Sequence, residues 1–229
     1  MTERSSKPRK PAPASARVKI RRRPARGSYD LNLVRSIFDD ALLCHVAFVD
    51  GGNPVVLPTL HVRIGDELLL HGARQNRMMN EVAAGAPVCV EATVIDSLVL
   101  GRSVLQNSVN YRSAVVMGEG RAVEDPDEVL PRMHALIDKL APGRLPFLRP
   151  LTDAELRSVL LVSVPITEAS AKLRTGDAGD AAADRSRPVW AGQLPLRVVA
   201  GAPIPDDHVP ADMPVPGHLV GWGEERSGV

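Results

Sequence analysis

Between Cys44 and Gly72 the chain is a series of short strand-like runs cut by tight-turn residues: CHVAFV, then DGGNP, VVLPTLHVRI, then GD, and ELLLHG. Aliphatic and β-branched residues fill the runs, and Gly, Asn, Pro and Asp fill the breaks, so two or three antiparallel strands joined by hairpins are implied. Strand follows strand here without the regular βαβ alternation of a parallel sheet. A doubly wound fold is disfavoured for the same reason, and no G-x-G-x-x-G follows a strand.

Helical periodicity brackets these strands. From the N-cap residue Asp30, Leu31, Val34, Ile37, Phe38, Ala41 and Leu42 recur at helical spacing. ARQNRMMNEVAAG follows His71 and Gly72 and stops at Gly85, so a strand enters a helix through a glycine corner. DPDEVLPRMHALIDKL opens with Asp-Pro-Asp and ends at Pro142-Gly143, while TDAELRSV places Thr152 and Glu155 at capping-box spacing. PVCVEATVID and SVNYRSAVVMGEGRAV, joined by SLVLGRSVLQN, supply two further strand-like stretches, and LLVSVPITEASAKL a last one. The fold class is mainly β with helices (α+β), and a barrel is the expected closure.

The two ends of the chain differ from this middle. Residues 1–26 hold ten Lys and Arg against one Glu, with almost no apolar periodicity, which predicts a disordered basic tail over residues 1–28. Residues 29–175 are expected to form one barrel domain, and the Gly-, Pro- and Asp-rich residues 176–229 a largely irregular extension packing on it. At 229 residues and 44% apolar, the chain can bury one good core. Cys44 and Cys89 lie inside apolar runs, as buried free thiols do. No apolar stretch approaches the roughly 18 residues needed to span a bilayer, and no signal-like segment follows the basic start, so a cytoplasmic location is expected. With only 3% aromatic residues the chain is short of stacking platforms, which disfavours nucleic-acid binding beyond non-specific attraction by the tail.

Three places carry candidate chemistry. VVLPT and LLLHGARQNR bring Pro58, Thr59, His71, Gly72, Asn76 and Arg77 to the ends of neighbouring strands. A phosphate needs hydroxyl and amide donors with an Arg fork beside a helix start, although an ordinary glycine corner with a solvated Arg has the same pattern. In SVNYRSAVV, alternation sends Arg112 to the face opposite Tyr111 and Ser113, so the three cannot line one surface. Trp190 in PVWAGQLPL is either a core plug or a cofactor contact. His45, His61 and His134 are at non-ligand spacing, and no metal site is expected.

In order along the chain, RGSYD, CHVAFV, VVLPT, LLLHGA with Arg77, TVIDSLVLGRS, NSVNYRS, APGR, AKLR and VWAGQLPL resemble the FMN-binding proteins related to pyridoxamine 5′-phosphate oxidase, in the branch that includes nitroimidazole-resistance proteins. The resemblance covers residues 26–197. It implies a six-stranded antiparallel split β-barrel, a homodimer, and FMN in the cleft between subunits. On that resemblance Pro58 and Thr59 lie beside the isoalloxazine ring, His71 and Gly72 contact ring and ribityl chain, and Asn76 and Arg77 hold the phosphate. Arg112 and Ser113 approach the flavin from the partner subunit, and Trp190 closes the cleft.

Several positions depart from the family pattern. Met78 stands where vitamin B6 oxidases carry a second lysine, their substrate-gripping Arg-x-His has no counterpart, and Gln106 and Asn107 occupy positions where this branch carries histidine. The expected function is therefore an FMN-dependent oxidoreductase acting on another small molecule, with an electron donor such as NAD(P)H. His71 is the candidate proton donor. The alternatives are a flavin carrier or sensor without turnover, or the same barrel holding F420 or haem.

Overall fold

The structure is a computed structural model that describes residues 11–220 and Trp222. The chain runs β1 Gly27–Ser28, α1 Leu31–Asp40, β2 Leu43–Asp50, β3 Asn53–Ile64, β4 Glu67–Ala73, α2 Arg77–Ala83, β5 Pro87–Leu100, β6 Ser108–Glu119, β7 Arg121–Ala122, α3 Pro126–Leu140, α4 Asp153–Ser158, β8 Val159–Pro165, β9 Glu168–Arg174 and β10 Gly192–Pro195. The sheet has the order β1-β9-β6-β5-β2-β3-β4-β8-β7, with β10 added to β5, and its pairings are antiparallel. A mostly antiparallel sheet with four helices is an α+β fold of the split-barrel kind.

The capping residues act where the sequence places them. Asp30 accepts from the Asn32 amide at the start of α1, Asp125 from the Asp127 amide at α3, and Thr152 and Glu155 form both halves of a capping box at α4. α1 buries Val34, Ile37 and Phe38 completely. Each such side chain contributes about 2–3 kcal/mol of apolar burial. Along β2 the period of two puts Cys44, Val46 and Phe48 into the same core and Leu43, His45 and Val49 outside. A second, smaller core lies where α3 covers β3, β4 and β8, built from Val62, Leu69, Val123, Leu136 and Leu161.

The strand count differs from six because of long-range pairing. LLVSVPITEASAKL divides after Pro165 into two strands that do not pair with each other: β8 joins β4 and β7, and β9 joins β6 and β1. β5 does not stop at Asp96 but continues to Leu100 across a bulge between Ile95 and Ser97, paired with Ser108–Asn110 of β6 on one side and with β10 on the other. Gln193 of β10 accepts from Asn110 Nδ2 at 2.6 Å, which ties the late segment to the buried Asn110–Ser97 pair.

The basic stretch is also placed differently from the expectation of a disordered tail. Residues 11–28 lie along the sheet edge, with Val18 buried, Arg17 ion-paired to Glu168 at 2.6 Å, and Gly27 and Ser28 paired with Lys172 and Ala171 of β9. Residues 1–10 of that predicted tail lie outside the described residues. Among the described residues, no helix is long and apolar enough to cross a membrane.

Candidate functional site

The corner between β4 and α2 is built as a close approach. A Cβ on Gly72 would come within 2.7 Å of Met79 Cγ and 3.5 Å of Asn76 Nδ2, so this position has room only for glycine without a shift of the helix start. Asn76 caps α2, its Oδ1 accepting from the Met79 amide at 3.3 Å. Arg77, the first helical residue, is 61% exposed and reaches Asp50 at the end of β2, 2.5 Å away. One of its five donors is engaged by that carboxylate, which leaves most of the guanidinium edge facing outward.

His71 stands one residue before Gly72, opposite Leu161 on β8. It is half-buried, and burial lowers its pKa below the ordinary histidine value. Its Nδ1 is buried without a hydrogen-bond partner among the described residues. The walled-in Nδ1 cannot meet a ligand; the neutral imidazole can accept or donate a hydrogen bond or bind a metal centre through Nε2.

Residues paired across an antiparallel sheet share a face, so the register defines the outer surface beside this corner. Pro58 of β3 lies opposite His45 of β2, which lies opposite Glu91 of β5. Further along, Thr93 of β5 faces Ser113 of β6, and Ser113 faces Lys172 of β9. His45 Nδ1 is 3.5 Å from Glu91 Oε2, and Thr93 Oγ1 donates to Glu91 Oε1. Around these polar groups Leu43, Val49, Val56 and Ile95 are large apolar side chains left exposed on the same face. An apolar surface with a few convergent polar groups is what a flat aromatic ligand and a covering partner require.

The structure thus brings together the β4–α2 set of His71, Gly72, Asn76 and Arg77, with Pro58 on the neighbouring strand. Thr59 faces the other way, on the core side beside Cys44, half-buried. Arg112 and Ser113 are on β6, three strand spacings from β3, about 14 Å within one subunit. Ser113 donates to Lys172 O at 3.3 Å on the outer face. Arg112 points to the opposite side, where it bonds Asp40 at the end of α1 and Asp96 on β5 at 3.1 Å. Trp190 is 68% exposed, folded against its own Gly192.

Arg112 is consequently a clamp between a helix end and a strand. Replacing it by Leu is expected to destabilise the fold by about 2 kcal/mol, because two carboxylates lose their shared cation. Ser113→Ala should shift the urea midpoint negligibly. An Arg112→Leu protein of unchanged stability would show that the two ion pairs contribute nothing.

The sequence profile described as pyridoxamine 5′-phosphate oxidase matches residues 32–173, from α1 to the end of β9. The chain belongs to the pyridoxamine 5′-phosphate oxidase family. Among solved structures, this family member is similar to the flavocytochrome Anf3 from Azotobacter vinelandii, with 31% identity, a TM-score of 0.84, and coverage of 92% of this chain and 98% of that one. It is likewise similar to the FAD- and haem-binding protein from Mycobacterium smegmatis, with 34% identity, a TM-score of 0.81, and coverage of 86% and 96%. A proposed 5-nitroimidazole antibiotic resistance protein from Bacteroides thetaiotaomicron shares the fold at 22% identity and a TM-score of 0.55, over 64% of this chain and 85% of that one. No curated protein matches the chain.

His45, Glu91 and Thr93 of this family member escape a reading by motif. Each is an isolated polar residue in an apolar strand, and only the β2–β5 register places them side by side. Alternation within CHVAFV and CVEATV marks them as outward-facing, but nothing local says that the two strands are neighbours.

Proposed function

We propose that this chain is a flavin-binding redox protein, with the flavin resting on the outer face beside the β4–α2 corner and a second copy of the chain covering that face. The observation that carries the reading is the corner itself: Gly72 without room for a side chain, the Asn76 cap, the outward-facing Arg77 and the half-buried neutral His71 converge where a phosphorylated ring cofactor would need them. Arg77 and the first amides of α2 would meet the phosphate, sharing Arg77 with Asp50. Pro58 and His45 would lie against the ring, and His71 would hold a proton at a ring heteroatom. A bound flavin supplies one- or two-electron transfer; the protein supplies orientation and exclusion of water. FMN is the flavin implied by the motifs, an oxidoreductase the expected activity, and NAD(P)H a suitable electron donor.

A second reading, FAD together with haem, is favoured by the two neighbours that cover most of this chain, a flavocytochrome and an FAD- and haem-binding protein. His71 fits it through Nε2, the ring nitrogen that is not walled in by protein, since a haem ligand must be a neutral imidazole with an accessible nitrogen. Mass spectrometry of cofactors extracted from the purified protein, with absorbance spectra of wild type and His71→Ala, separates the readings. Flavin retained by both proteins supports the first, whereas haem present in wild type and lost in His71→Ala supports the second. Protein that takes up neither FMN nor FAD would sink both.

A further inference from the structure

At one edge of the outer face, residues 22–26, residues 105–108 and the end of β9 line an open cavity of about 430 Å³. Its walls carry Arg22, Arg23, Arg26, Lys172 and Arg174 against one carboxylate, Asp177. That carboxylate is engaged elsewhere, its Oδ1 accepting from Gln193 Nε2 at 2.8 Å. Among the described residues, none of the five cations forms an ion pair. Arg174 is buried and bonds only neutral acceptors: Asn110 Oδ1, Gly176 O at 3.2 Å and Asp177 O at 3.3 Å. Burial and then the charges of Arg26 and Arg23 lower its pKa, the signature of positive charge crowded without a counter-ion.

The chain holds this arrangement in place at a cost. Arg23 has φ 54°, the left-handed region, and is alone among the described non-glycine residues in doing so. Its segment is pinned on both sides: the Ile20 amide donates to Tyr29 Oη at 2.9 Å, Ile20 packs under Gly27, and Gly27 pairs with Lys172. A basic tail whose only task was solubility would need no such anchoring.

We propose that this cavity binds a diphosphate group, such as the pyrophosphate of a dinucleotide. Five cations around one volume match an anion carrying two or three negative charges better than a single carboxylate, and the volume lies in the range of small-ligand sites, roughly 300–1,000 Å³. The site is separate from the Arg77 corner, and the argument for it stands whether or not a flavin occupies that corner. A flavin dinucleotide and a nicotinamide dinucleotide donor both present this chemistry.

Calorimetric titration of the full chain with inorganic pyrophosphate tests the proposal. An Arg23→Ala/Arg26→Ala double variant should lose at least about tenfold in affinity, since two charge-assisted contacts are removed. Lys19→Ala/Arg21→Ala, which removes equal charge from the same segment outside the cavity, should stay within about twofold, the remainder being long-range attraction. Absence of pyrophosphate binding, or equal losses in the two variants, overturns the proposal. Parallel titrations with FAD and with NADPH assign the source: the one weakened by Arg23→Ala/Arg26→Ala is the occupant, and a loss confined to pyrophosphate assigns the cavity to a diphosphate-bearing substrate. Failure of the flavin reading would appear separately, as wild-type protein that binds pyrophosphate but no flavin.

Discussion

Acidification from pH 6.5 to about 4 is expected to weaken the fold by on the order of 3 kcal/mol through a single residue, His61. His61 is fully buried, edge-on to the Phe38 ring, with Nε2 2.8 Å from Phe38 O and 3.0 Å from Lys139 Nζ. Burial, reinforced by the Lys139 charge, lowers its pKa from 6.5 to about 4. The unfolded chain takes up a proton near the higher value and the folded chain near the lower. Stability from this group is thus fully present above pH 6.5, falls as the pH drops through the window, and stops falling below about pH 4. Urea midpoints across this range should decline more steeply for wild type than for His61→Gln. Identical profiles would mean that the imidazole is readily protonated in the native state.

Phe38→Ala is expected to cost about 3–5 kcal/mol, the range for emptying an aromatic site in a packed core. Phe38 is fully buried on the inner face of α1, in the same cluster as Cys44, Leu70 and Met79. Its carbonyl accepts from Lys139 Nζ at 2.8 Å, so α1, β3 and α3 meet at this residue. The truncation should also loosen the end of α1, where Asp40 holds Arg112. Chemical unfolding monitored by far-UV dichroism measures the loss; a change below about 1 kcal/mol would show that the site collapses around the vacated volume.

Both effects arise from a core whose members were legible as a pattern. The helical spacing of Val34, Ile37 and Phe38, the alternation of CHVAFV, and the caps at Asp30 and Thr152 are local signals, and the structure uses them as written. The glycine corner at Gly72 was legible as well, because strand, glycine and helix cap are consecutive in the chain. Of the site, what was not legible is what lies across strands. The division of Arg112 from Ser113 followed from alternation, but its carboxylate partners did not: Asp40 and Asp96 are remote in sequence and become neighbours only when α1 ends over β5.

The ends of the chain show the same division more sharply. Composition marks residues 1–28 as basic and poor in apolar groups, yet residues 11–28 lie on the edge of β9, held by buried Val18, the Arg17–Glu168 ion pair and the pairing of Gly27 and Ser28. β10 is invisible beforehand for the same reason, since Gly192–Pro195 becomes a strand only because β5 offers Ser97–Leu100 as an edge.

By itself the sequence determined the antiparallel α+β class and the helix starts, because capping, turn chemistry and side-chain periodicity act over a few residues, and the order of its motifs carried the resemblance to the family. Only the tertiary structure decided which strands are neighbours, and with them the outer face around His45 and Glu91 and the cationic cavity at Arg174. Strand pairing is chosen by the burial of whole faces and by backbone edges distant in the chain, and no single segment encodes that choice.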